Sequence, residues 1–167
     1  MKTRIQTAQV LAVAVVVGLG SAATGCGKYS YGNMKAMKAF KDANTSYQAQ
    51  DWKKAVTRYE DAIKANPDLN AGGVTPYFFL ANSYDNLYKP ARAGEAENDS
   101  YIQKAIENYK ISAQKDTGQM RTRAMEYLVA AYGPEKLNDP SKAEPIVNEM
   151  IQMDPNEPAN YFYLAKI

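Results

Sequence analysis

The side chains that could do chemistry in this chain of 167 residues are few in kind. Histidine is absent. That removes Ser-His-Asp and Cys-His nucleophilic catalysis, and every zinc or haem site built on imidazole. Cys26 is the sole cysteine, so no disulfide forms within the chain and packing must supply the stability. Glu95, Glu97 and Asp99 alternate along a polar stretch, and their oxygens would suit Ca²⁺. No glycine-punctuated calcium loop follows them, so the favoured reading is a solvated charged segment. Paired carboxylates can cleave glycosides, but no spacing here places two in one pocket. The expectation is a protein that is not an enzyme, with no cofactor and no metal.

The cysteine gains meaning from what precedes it. Lys2 and Arg4 lead into an apolar run, residues 10–19, then small residues ending in Ala23-Thr24-Gly25-Cys26. A positive end, a short apolar core and small residues make a secretory signal. The apolar core is roughly half the ~20 residues of a membrane-spanning helix. The ending resembles a bacterial lipobox, with Ala23 where leucine is usual. The resemblance implies cleavage after residue 25 and lipid on Cys26. It also implies a cell-envelope address, anchored to the membrane. Gly27 rather than aspartate follows the cysteine, which by the sorting rule of enteric bacteria implies the outer membrane, facing the periplasm. Glycosylation sequons at Asn44-Thr-Ser46 and Asn98-Asp-Ser100 carry little weight in such a protein.

Removing residues 1–25 removes two bases and no acid, so 20 Lys and Arg become 18 against 18 Asp and Glu. The mature part is formally neutral. At this level no basic field remains to attract nucleic acid or anionic lipid. Residues 26–33 read as a short tether and 34–167 as one domain of common size.

Helical spacing dominates from Met34 onward. Asp51 is a plausible N-cap for a helix that Asn66-Pro67 stops. Further helices are expected over 77–88, 101–115 and 120–132. Residues 89–100, with Pro, Gly and acids, read as a mobile loop outside the packing. Ser141-Lys-Ala-Glu144 fits a capping box, with Pro145 in the first turn that follows. A last helix starts at Pro158. Nothing alternates like a strand.

The helices repeat. Ala55-x3-Tyr59-x2-Ala62-x4-Pro67 is one half-unit. Tyr77-x2-Leu80-Ala81-x2-Tyr84 with Ala105-x3-Tyr109 forms another unit. Met125-x2-Leu128-Val129-x2-Tyr132 with Ala143-x3-Val147 and Pro155 forms a third. Tyr161-x2-Leu164-Ala165 opens a fourth, and Tyr77-Phe-Phe-Leu-Ala81 nearly recurs as Tyr161-Phe-Tyr-Leu-Ala165. This resembles the tetratricopeptide repeat, a ~34-residue helix–turn–helix. The resemblance implies an all-α fold: a right-handed superhelix of antiparallel helix pairs, three repeats plus a partial fourth. Ala43, Ala81, Ala105 and Ala143 would let helices approach closely. Tyr59, Tyr77, Leu80, Tyr84 and Tyr109 would fill the space between pairs. Repeat one departs, with Asp42 and Ser46 where Leu and Tyr are usual. Repeat two carries about twelve extra residues between its helices.

In this family first helices line a concave face. The equivalent positions here include Phe40, Asn44, Tyr47, Phe78, Phe79, Asn82, Arg123, Tyr127 and Phe162. An aromatic and amide groove suits an extended peptide or a partner helix. Phe78 and Phe162 are expected to be equivalent anchors. A carboxylate clamp known in the family is missing: of its five positions only Asn44 matches, with Arg123 a basic substitute. The expected function is an envelope-anchored scaffold that binds other envelope proteins or peptides and no nucleic acid. Outer-membrane, pilus and secretin assembly are the nearest analogies. The alternative is an accessory subunit or N-terminal part of a larger cell-wall enzyme, or a solute-binding lipoprotein. The chain ends inside a repeat, so further repeats, or a stacked molecule, are expected to cover Tyr161, Leu164 and Ile167.

Overall fold

The computed structural model describes residues 30–167. Cys26, the signal segment and the first half of the expected tether lie outside the described residues. Seven α-helices follow one another, with no strand among the described residues. They are α1 (Tyr31–Gln48), α2 (Trp52–Ala65), α3 (Tyr77–Leu87), α4 (Ala96–Lys115), α5 (Gly118–Tyr132), α6 (Pro140–Met153) and α7 (Pro158–Lys166). Extensive helix packing joins sequence neighbours: α1 on α2, α2 on α3, and so to α6 on α7.

Local chemistry explains most boundaries. Ser30 caps α1 by accepting from the Asn33 amide at 3.2 Å. The helix thus begins three residues before Met34, inside the stretch read as tether. Asp51 caps α2 by accepting from the Lys54 amide at 3.2 Å, and Asn66 ends that helix, both as expected. Only two residues separate α4 from α5, and Gly118 takes the positive φ of 54° that this tight turn requires.

Two further expectations fail. Residues 89–100 are not a loop outside the packing. After a 3₁₀ turn at Pro90–Arg92, α4 starts at Ala96, five residues early. Asn98 is buried, and its amide both accepts from the Lys89 N–H at 2.8 Å and donates to the Lys89 carbonyl at 3.0 Å. Glu95 pairs with Arg92, Glu97 accepts from the Tyr101 hydroxyl, and Asp99 accepts from the Gly94 amide. Local partners thus occupy all three carboxylates, and the last five of the extra residues, 96–100, lengthen α4. The second failure concerns α6. Its N-cap is Asp139 rather than Ser141, because Pro140 presets the first-turn φ. Pro145 consequently falls inside the helix, where the Ser141 carbonyl loses its N–H donor.

The core follows the repeat positions. Ala43, Ala81, Ala105 and Ala143 are fully buried, as are Tyr59 and Tyr109; Tyr77, Leu80 and Tyr84 are buried too. One large core runs from α1 to Ala143 of α6, and a smaller one joins α5 to α6. A polar clamp ties the α2–α3 connection to the end of α4. Buried Asp116 accepts from the Thr75 amide and hydroxyl, both at 2.9 Å, and from the Ser112 hydroxyl at 2.6 Å.

Candidate functional site

Helical spacing puts Phe40 and Tyr47 on one side of α1, Phe78 and Phe79 at the start of α3, and Tyr127 in mid-α5. Helix packing then brings these rings into one ladder. Tyr47 meets Phe79 edge-on with ring centroids 5.2 Å apart. Phe79 meets Phe78 at 5.4 Å, and Phe78 meets Tyr127 at 5.5 Å. Second helices support the ladder from below. Tyr59 of α2 touches Phe40, Tyr47 and Phe79, while Tyr109 of α4 touches Phe78 and Tyr127. Edge and offset pairs of this kind add about 0.5–1.5 kcal/mol each beyond the area they bury.

A chain of hydrogen bonds runs beneath the rings. The Tyr47 hydroxyl donates to Asn82 Oδ1 at 2.7 Å. Asn82 Nδ2 donates to the Tyr109 oxygen at 3.2 Å, and the Tyr109 hydroxyl donates on to Asp85 Oδ2 at 3.4 Å. Lys136, from the α5–α6 connection, closes the chain with an ion pair to Asp85 Oδ1. Asn86 donates to Asn82 Oδ1 at 3.1 Å as well. Buried polar groups cost little only when they are satisfied, and these are.

Burial sets the electrostatics. It pushes the Tyr109 phenol well above its ordinary value, and Asp85 adds to the shift. Burial raises Tyr59 in the same way, with Tyr47 second. Tyr47 is raised by burial and then by Tyr127, while Arg123 opposes the shift. The phenols therefore stay neutral over the whole physiological range and act as hydrogen-bonding dipoles. Among the described residues no cluster of three or more acids, cysteines or histidines is placed to hold a metal ion.

The residues expected to line the groove separate into three groups. Arg123, Tyr127 and Phe162 are exposed. Asn44, Tyr47 and Phe79 are half-buried at its edge, and Asn44 Oδ1 already accepts from the Tyr59 hydroxyl at 2.7 Å. Phe40, Phe78 and Asn82 are buried. Phe78 is thus a core residue beneath the face rather than an anchor on it, and its supposed twin Phe162 is wide open. Phe162 sits apart from the ladder, beside a cleft of about 100 Å³ between α7 and the Gly133–Glu135 turn. Trp52 is half-buried and packs edge-on against Tyr47 at 5.3 Å.

Sequence reasoning missed Asp85 and Lys136, which lie 51 positions apart. One signal was present: Asn82, Asp85 and Asn86 are polar residues on a mostly apolar helix, at spacings of three and four. Comparison of the chain with family models, with curated proteins and with solved structures returned no match.

Proposed function

We propose that this protein is an envelope lipoprotein, anchored through lipid on Cys26, whose helices form a tetratricopeptide-type superhelix that serves as an interaction scaffold. It binds other envelope proteins or peptides and performs no catalysis. The reading of Cys26 rests on the lipobox-like sequence. The reading as a scaffold is supported above all by one observation: the ring ladder spans three helices and is closely packed underneath but open at Tyr127. Two further features add to it. Arg123 lies one turn before Tyr127 and makes no ion pair among the described residues. Tyrosine and arginine at the open edge of a preorganised surface match the composition of protein-binding hot spots. A peptide lying along the face would gain aromatic area from Tyr127 and Phe79 and charge from Arg123 without reordering the support.

Photo-crosslinking from single positions in intact envelopes tests this. A crosslinker at Tyr127 should give one discrete adduct, and Arg123→Ala should reduce its yield about tenfold, the effect of losing a contact of ~1.4 kcal/mol. The same probe at exposed Gln103 on α4 should give none. Silence at Tyr127, or equal labelling from Gln103, would remove this face from consideration.

A further inference from the structure

The outward side of α1 combines two features that packing within the molecule does not explain. Tyr31, Met34 and Met37 are 80%, 55% and 43% exposed. Large apolar side chains in such a row are unusual on a face turned to water. Lys35, Lys38 and Lys41 lie among them. At ~100° per residue the six share one arc of about 160°. Ala36, Phe40 and Ala43 occupy the opposite, buried side. None of the three ammonium groups makes an ion pair among the described residues.

Charge along the chain adds a direction. No acid precedes Asp42. Residues 26–41 hold four lysines, which leaves 14 bases against 18 acids in 42–167. The neutral total of the mature chain therefore conceals a separation, positive at its start and negative over the rest. Cys26 stands five residues before Tyr31, so a lipid carried there lies at most ~18 Å from the start of α1.

We infer that this face of α1 docks on an anionic lipid surface. Tyr31, Met34 and Met37 enter the headgroup–acyl boundary, while Lys35, Lys38 and Lys41 meet lipid phosphates with their stems laid along the apolar layer. The inference rests on the lipid-anchor reading of Cys26, which brings the face to the membrane. No described helix is long and apolar enough to cross a bilayer, so the contact is a helix lying on the surface. Each lysine near an anionic leaflet shifts the docked equilibrium by about fivefold. The attached lipid makes that step intramolecular, so a weak contact suffices. Docking would hold the net-negative remainder of the molecule, with Tyr127, away from the bilayer.

The experiment uses the full processed chain, purified from envelopes in detergent and reconstituted at low density. Vesicles contain phosphatidylcholine alone or phosphatidylcholine with phosphatidylglycerol. Peroxide converts exposed methionine to its sulfoxide, read by mass at Met34 and Met37. Met153, exposed at the far end of α6, is the internal reference. Oxidation of Met34 and Met37 should slow about fivefold or more on the anionic vesicles, with Met153 unchanged. Combining Lys35→Gln, Lys38→Gln and Lys41→Gln should abolish the protection. Equal rates on both vesicles overturn the inference. So does protection that rises with protein density and survives the lysine changes, which assigns the face to a second copy. The anchor is tested apart: a Cys26→Ser chain that is still processed and stays in washed membranes refutes lipidation. The oxidation rates are read with excess vesicles whether or not the chain is anchored.

Discussion

Two nearly identical peptides have opposite environments in this molecule. Tyr77-Phe-Phe-Leu-Ala81 opens α3, and Tyr77, Phe78 and Leu80 are 7%, 4% and 3% exposed. Tyr161-Phe-Tyr-Leu-Ala165 lies in α7, and Tyr161, Phe162 and Leu164 are 48%, 65% and 39% exposed. Both peptides are helical, so local propensity treats them alike. The difference lies in the neighbours. α3 is packed between α2 and α4, whereas α7 packs mainly on α6. In a stacked helical array burial belongs to the position in the stack and not to the residue.

The largest expected effect tests that contrast directly. Phe78→Ala should cost about 3–5 kcal/mol, because it empties a site lined by Phe79, Tyr109 and Tyr127. Phe162→Ala should stay within about 0.5 kcal/mol, as for other exposed positions. Paired urea titrations measure both. Similar costs for the two would show that α7 is packed in solution as tightly as α3.

Alkali gives the next effect. Tyr59 and Tyr109 have folded pKa values raised by burial above the ordinary phenol value of about 10. The unfolded chain therefore loses these protons first as pH rises. Their contribution is intact below pH ~10 and falls by about 1.4 kcal/mol per pH unit for each phenol above it, until the folded phenols ionise. Melting temperature followed from neutral pH upward should be flat and then drop, with tyrosinate absorbance rising at the unfolding step. Early, smooth ionisation of Tyr59 or Tyr109 without loss of helix would show that the layer beneath the rings is open to water.

A smaller loss is expected in the hydrogen-bond chain beneath the rings. Tyr47→Phe removes one donor from Asn82 Oδ1, but Asn86 still donates to that atom. The cost should be about 0.5–1 kcal/mol, with the ring ladder unchanged. A loss above ~2 kcal/mol would mean that the hydrogen-bond chain acts cooperatively rather than bond by bond.

Much of the helical order was legible from residues alone. Asp51 as cap, Asn66 as stop, Pro158 as start and the fully buried alanines all act through local rules of capping, φ restriction and side-chain size. The same rules misplaced the start of α4. Gly and acidic content argued for a loop, but the buried Asn98 amide closes two bonds to Lys89 and draws the segment into the packing. They misplaced the start of α6 because Asp139-Pro140 and Ser141 compete for it, and only the whole turn decides between them.

What the residues determined by themselves is the helical class, the spacing of small and large core positions, the balanced charge of residues 26–167 and the expectation of lipid at Cys26. The tertiary structure decided which aromatics face outward. Phe78 and Phe162 are the same residue in nearly the same peptide, and only the helices stacked around α3 separate core from surface. It also decided that Asp85 and Lys136 should meet across 51 positions. Side-chain hydrogen bonds and ion pairs depend on distances of a few ångströms, and no periodicity encodes a distance between residues that far apart in the chain.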